Sequence, residues 1–494
     1  MIELTHMPAL VVVAPLMAAA LCALIRHSRL CWWLATLTLT FSCVCIVVMG
    51  RAVFDGNVLS YAMGSWAPPI GIEYRVDALA AFMLGVVGFM ALIVHLYGYR
   101  SVRAEIPQPL QGWYHAIYLL CTAGLLGMVI TGDTFNAFVF MEIASLSAYT
   151  LIAMGKDRRA LTAAFQYLIL GTIGATFYVI GVGFLYLQTG TLNMTDLDTR
   201  LDGIMDHPGV LTGLGFLIAG LALKSALFPL HLWLPNAYAW APSVSSALLA
   251  ATATKVTLYL LIRFAYDIFD FDIALAQANW SFVLFVLSLA AITAGSLLAI
   301  AQDNVKRMLA YSSVAQIGYI TFGIAVANLN SLTGALVHLA NHALMKGALF
   351  MLLGGVMLRL GSVHLSHLAG IGRQMPWTMA GFVLAGASLL GVPGTVGFVS
   401  KWYLAVGALD AGHWSLVIVL MASSLIALAY MGRVIEMVYL RERPADAPTV
   451  TEAPPIMLAA TWLVLAACIY FGLDTDLTAG LARAAADSIM DQPQ

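Results

Sequence analysis

Charge is what this sequence has least of. Asp, Glu, Lys and Arg together make 10% of its 494 residues, against 61% hydrophobic. That balance excludes a string of soluble domains and predicts a polytopic membrane protein. The formal net charge of −2 leaves no basic footprint for nucleic acid. No Walker loop, zinc motif or Gly-rich turn after a strand occurs, so flavin, nicotinamide and ATP sites have no support. Cysteine is scarce too: Cys22, Cys31, Cys43, Cys45, Cys121 and Cys468. All lie in or beside apolar runs without metal-type spacing, and read as packing residues rather than disulfides. Neither a cofactor nor a metal is expected. The first apolar run, 8–25, lacks a basic start; Arg26 and Arg29 follow it, so it is expected to stay as a span.

What is abundant is apolar sequence of spanning length. Fourteen runs are predicted, the first over 8–25 and the last over 455–472. Lys and Arg segregate between alternate loops. One set holds Arg26, Arg29, Arg100, Arg103, Lys156, Arg158, Arg159, Lys306, Arg307, Arg359, Arg373, Arg441 and Arg443. The other is acidic, with Asp196, Asp198, Asp202 and Asp206 in one loop and Asp267, Asp270 and Asp272 in another. The positive-inside rule then places the basic loops in the cytoplasm and both termini outside. Segment 50–75, with Pro68 and Pro69, reads as an ordered outer cap.

Two runs are broken. The seventh, 209–231, meets Pro229 and Pro235; the twelfth, 376–408, contains Gly-Val-Pro393-Gly394. Each break lies beside a lysine inside apolar sequence, Lys224 and Lys401. Pro229, Pro393 and Gly394 are the expected hinges. Broken helices five spans apart point to two inverted five-helix repeats of the kind found in transporters. Expected divisions are 1–112, a three-helix segment; 113–266, the first repeat and proton-translocating half; 267–440, the second repeat; and 441–494, a C-terminal helix and tail.

An ionised Lys at the bilayer centre costs roughly 2.5–3.5 kcal/mol on insertion scales, so intramembrane charge needs a reason. Glu142 falls near the middle of the fifth run, with Lys224 and Lys255 as candidate partners. His338, His342 and Lys346 recur at i+4 in the eleventh run, a stripe about 12 Å long at 1.5 Å per residue. Such a stripe reads as a proton relay. Two histidines at this spacing could instead ligate a haem or a metal, but the lysine at the next position disfavours that. A scaffold would have no need of four intramembrane lysines.

FMEIASLSAYTLIA around Glu142, LALKSALFPLHLWLPNAYAWAPSVSSALLAATATK, AQDNVKRMLAYSSVAQIGY, NHALMKGALF and GVPGTVGFVSKWY resemble the antiporter-like subunits shared by Mrp-type cation/proton antiporters and respiratory complex I. The likeness runs from about residue 75 to about 440, and EIASLSAYTLIA looks most like the D-type Mrp subunit. It implies fourteen helices, inverted repeats and a polar axis across the membrane middle. By family role, Glu142 and Lys224 form a coupling pair, Lys255 is the central proton carrier, His338, His342 and Lys346 continue the axis, and Lys401 sits near its exit. The resemblance implies partner membrane subunits, protons and Na+ as cargo, a bacterial cytoplasmic membrane, and a transporter rather than an enzyme. Its alternative is a proton-pumping subunit of NADH-quinone oxidoreductase or a related membrane hydrogenase. Asn236 and Tyr238 stand where the family often has Asp and His.

Overall fold

The computed structural model of the chain describes residues 4–269 and 280–490; Asp270 and Asp272 of the predicted acidic loop lie outside them. The fold is almost wholly helical. In chain order the helices are α1 Met7–Ile25, α2 Ser28–Phe54, α3 Ala78–Glu105, α4 Gln111–Ile130, α5 Thr134–Ala153, α6 Arg158–Thr189 and α7 Met194–Leu201. There follow α8 Pro208–Ser225, α9 Trp233–Trp240, α10 Ser243–Ala251, α11 Ala253–Ile262, α12 Trp280–Ile300 and α13 Val305–Val326. The last are α14 Leu329–Leu360, α15 Pro376–Leu390, α16 Val396–Asp410, α17 Trp414–Ile435, α18 Pro455–Leu473 and α19 Asp476–Met490.

Among the described residues, thirteen helical stretches are long and apolar enough to cross a membrane. The remaining predicted span, the twelfth, is the pair α15 and α16, each of 15 residues, interrupted where the sequence placed its second break. The protein is therefore an integral multi-pass membrane protein, built on fourteen crossings. The seventh crossing is the pair α8 and α9. In both sets of five crossings, 4–8 and 9–13, the broken one is the fourth. Because five is odd, the second set starts from the opposite face, and the repeats are inverted as expected.

Asp and Asn side chains cap several helices in the manner that orphan backbone N–H groups require. Asp77, Asp133, Asp157 and Asn304 accept from the first turns of α3, α5, α6 and α13. On the acidic face, strands β1 (Leu59–Ala62) and β2 (Glu73–Val76) form an antiparallel hairpin with Leu59 opposite Val76. The outer cap thus begins only after α2 ends at Phe54. It is pinned to its surroundings by Asn193 Nδ2 donating to Glu73 Oε2 at 2.9 Å. All six cysteines are free.

α14 is the axis of the molecule. It touches α3, α10, α13, α15, α16, α18 and α19, and every residue from Ser331 to Val356 is buried. A helix covered on all sides is apolar all round unless its polar groups face one another. His338, His342 and Lys346 lie in this stretch.

Candidate functional site: an axis of buried lysines

Lys224 closes the last turn of α8, where the chain leaves the helix through Ala226 in a left-handed conformation, φ 60°. Its ammonium donates to Glu142 Oε1 of α5 at 3.1 Å and to Ser145 Oγ at 2.7 Å. Pro229 stands within the break between α8 and α9. The break leaves backbone carbonyls open, and Trp233 Nε1 of α9 takes up one of them, Leu223 O, at 3.0 Å. The Trp233 ring itself stacks on Tyr167, centroids 3.8 Å apart. His231, buried in the same break, stacks on Phe228 and meets Tyr311 edge-on. It is a polar group in the path that the hydropathy pattern does not single out.

Lys255 sits on α11, just beyond an interruption the sequence did not announce. The eighth crossing is predicted as one helix, yet it divides at Thr252 into α10 and α11. No Gly or Pro marks the place. The Thr252 hydroxyl donates back to Leu248 O at 2.7 Å, a bond that competes with the helical ladder. Lys255 Nζ donates to Ala250 O, in the last turn of α10.

The stripe on α14 is internal, as predicted, but its members are held differently. His338 is gripped at both nitrogens, Nδ1 to Ser400 Oγ at 2.8 Å and Nε2 to Gln316 Oε1 at 2.9 Å. Gln316 Oε1 can only accept, so His338 donates to it from Nε2, while the Ser400 hydroxyl also reaches Gly397 O at 3.3 Å. His342 lies parallel to it, centroids 6.0 Å apart, with neither ring nitrogen hydrogen-bonded. Lys346 donates to Leu309 O at 2.9 Å and Ser312 Oγ at 2.8 Å, and Ser312 meets the Tyr430 hydroxyl at 2.8 Å.

Lys401, on α16, reaches back across the second break. It donates to Leu389 O at 3.1 Å, Leu390 O at 2.9 Å and Ser424 Oγ at 2.8 Å. Its ammonium stands 5.3 Å from the centre of the Tyr319 ring, which in turn packs against His338 at 5.4 Å. Gly391 and Gly394 hold φ of +90° and +83° around Pro393. Gly391 also lies under the lysine, since a Cβ there would stand 3.0 Å from Lys401 Cδ. Gly391→Ala is expected to destabilise the fold by about 1–2 kcal/mol from the left-handed backbone alone and to push Lys401 off Leu389 O and Leu390 O. Thermal unfolding of the detergent-solubilised complex checks the first effect and proton movement the second.

The arrangement is not one unbroken chain of contacts. Glu142, Lys224 and Ser145 make one group. His342, His338 and Lys401, with Gln316, Ser400 and Tyr319, make a second. Lys346 with Ser312 and Tyr430, and Lys255 with Ala250 O, stand apart from both. Among the described residues, no carboxylate pairs with Lys255, Lys346 or Lys401. Instead Lys255 and Lys401 donate to carbonyls in the final turns of α10 and α15, and Lys224 sits in the final turn of α8. The C-terminal end of a helix carries about half a negative charge, which is the counter-charge here. Glu142 and Lys401, the two ends of the set, are partly exposed, whereas Lys255, His338, His342 and Lys346 are sealed. No group of three or more His, Cys, Asp or Glu among the described residues could hold a metal ion.

A family described as "NADH:quinone oxidoreductase/Mrp antiporter, TM" matches residues 131–427. The chain belongs to this family. Among family members, the N-type subunit of the NADH-quinone oxidoreductase of Desulforudis audaxviator is 45% identical over 442 residues, covering 89% of this chain and 87% of the relative. The D-type subunit of the Na(+)/H(+) antiporter of Bacillus subtilis is 31% identical over 458 residues, covering 91% and 90%. In three dimensions the family likeness spans the whole fold. A chain in the structure of the Mrp complex of Dietzia superimposes with a TM-score of 0.91 at 26% identity, covering 99% of this chain and 98% of that one.

Proposed function

We propose that this chain is the proton-translocating subunit of a multisubunit Na+/H+ antiporter, and that protons move along the axis from Lys224 through Lys255 and the α14 stripe to Lys401. The observation that carries the reading is the pair of buried lysines, Lys255 and Lys401, held by helix ends instead of carboxylates. An ammonium balanced by a fixed dipole can become a neutral amine without stranding a buried anion, which is what a proton carrier requires. Glu142 is the exception. Two unit charges about 4 Å apart at an effective dielectric near 20 attract by roughly 4 kcal/mol, enough for Glu142 to decide whether Lys224 keeps its proton. His338 and His342 pass protons between Lys346, Lys255 and Lys401, and Pro229, Pro393 and Gly394 let the half-helices shift. The partly exposed ends, Glu142 and Lys401, would meet hydrocarbon in an isolated subunit. Their exposure supports assembly with partner membrane subunits on both flanks. The divisions are 1–112, 113–266, 267–440 and 441–494, with proton translocation centred on the first repeat.

The second reading is the proton-pumping membrane subunit of an NADH-quinone oxidoreductase, which the 45% identity to an N-type subunit of that enzyme favours. Proton movement in everted vesicles from cells making the complete complex separates the two. Dependence on added Na+ supports the antiporter. Dependence on NADH and quinone, with no response to Na+, supports the alternative.

The location is a bacterial cytoplasmic membrane, with the basic face in the cytoplasm and both termini outside. In this orientation, a cysteine introduced into the 156–159 loop is expected to resist a membrane-impermeant maleimide added to intact cells. Ready labelling there would reverse the topology.

A further inference from the structure

From Lys255 a second stripe leads away, and the axis does not use its other members. Lys255, Tyr259, Arg263 and Asp267 follow one another at i+4, the last two in a π-helical turn, Arg263–Ile268, that continues α11. From Lys255 to Arg263 is eight residues, about 12 Å at 1.5 Å per residue. The row therefore runs from the central lysine toward the acidic face. There Arg263 donates to both Asp77 and Asp267, and only 9% of its side chain is exposed. Beyond the cluster lies a cavity of about 160 Å³, lined by Arg75, Asp77, Asp198, Arg263, Asp267 and Ser488 of α19 among others.

We propose that Arg263, clamped between Asp77 and Asp267, is a proton barrier that closes the direct route from Lys255 to the acidic face; the proposal rests on reading Lys255 as a proton carrier. A proton wire needs every link both to accept and to donate. Tyr259 accepts along this row but does not donate along it. Its hydroxyl donates sideways to Val129 O at 2.7 Å and accepts from Arg263 Nε at 2.8 Å. A backbone carbonyl hands no proton on, and a guanidinium keeps its protons at any accessible pH. Fixed positive charge in a narrow polar passage also turns away hydronium, as an arginine does in water-selective pores. Asp77 is itself anchored, capping α3 through Ala80 N at 2.9 Å. Asp267 reaches Arg263 from one turn further along the same helix, and π turns of this kind recur at functional sites. The clamp thus holds the charge in the passage and offsets the cost of burying it.

The test is passive proton flux in liposomes holding the complete complex, read with a trapped pH dye in the absence of Na+ and of any electron donor. Three changes probe the barrier: Arg263→Gln, the charge-balanced Arg263→Gln with Asp77→Asn, and Arg263→Lys, whose amine can release a proton. Each assembled variant is expected to dissipate a pH gradient roughly tenfold faster than the unmodified complex, because the fixed charge is gone in the first two and can release its proton in the third. Adding Lys255→Met is expected to restore tightness, which a generally loosened fold would not show. Assembled variants as tight as the unmodified complex would overturn the proposal. So would a leak that ignores Lys255→Met, or loss of assembly in all three variants, which would make the cluster a structural clamp alone. Sodium-driven proton movement by the unmodified complex in the same liposomes is a separate reading. Its absence beside a Lys255-dependent leak would reject the antiporter function and leave the barrier standing.

Discussion

Lys224→Arg is expected to abolish sodium-dependent proton movement while the complex still assembles. Arginine would keep the bond to Glu142, so the fold loses little. It cannot release a proton, so the carrier loses everything. Glu142→Ala is expected to stop exchange by the opposite route. Removing one partner of a buried ion pair costs roughly 3–5 kcal/mol if the survivor stays charged, and Lys224 escapes much of that cost by becoming neutral. The measurement is proton movement in everted vesicles, with subunit levels checked by immunoblot. Near-normal exchange in Lys224→Arg would reduce Lys224 to a fixed charge and move the carrier role to Lys255.

The second large effect is expected at Lys401. Lys401→Met keeps the volume and the aliphatic contact over Gly391 but leaves Leu389 O, Leu390 O and Ser424 Oγ without their shared donor. Unsatisfied buried acceptors cost about 1–3 kcal/mol each, a loss that Ser424 can soften by rotating. Exchange should fall to background and the unfolding temperature should drop, since one residue serves both the break and the path. Lys401→Arg supplies the control: it restores donors to the carbonyls and should recover stability without recovering exchange. Recovery of exchange in Lys401→Arg would show that proton release does not pass through this position.

Much of this was legible in the sequence because bilayers impose length. Fourteen apolar runs, the two Pro/Gly breaks and the identity of the ionisable groups all follow from what hydrocarbon tolerates. The i+4 spacing of His338, His342 and Lys346 gave their common helix, and the pairing of Glu142 with Lys224 was one of two options open. What hydropathy could not supply was contact. Lys306 reads as a loop residue beside Arg307, yet it is buried at the base of α13, donating to Ser243 Oγ at 3.2 Å. Arg263 reads as an outer-loop charge and instead is clamped inside the fold. The interruption at Thr252 has no Pro or Gly to betray it. Gln316, Ser400 and Ser312 are unremarkable one at a time, and matter because α13 and α16 present them to α14. The C-terminal helix α19 was expected only as a tail; its buried alanines, Ala479, Ala482, Ala485 and Ala486, dock it against α3 and α14.

The carbonyl ends that face Lys255 and Lys401 make position and charge interchangeable quantities. A carboxylate counter-ion answers a change in its partner by taking up a proton of its own; a half-helix cannot, and its only free variable is where it sits. If α10 or α15 slides by a fraction of its pitch, the potential at the neighbouring lysine changes and the amine must gain or shed a proton in response. Conversely, a lysine that loses its proton releases the helix end it was holding. Each break is in that sense a small transducer, turning mechanical displacement into titration and titration into displacement. A protein built this way can be driven from a distance by anything that pulls on its half-helices, with no bound cofactor at the site where the proton moves.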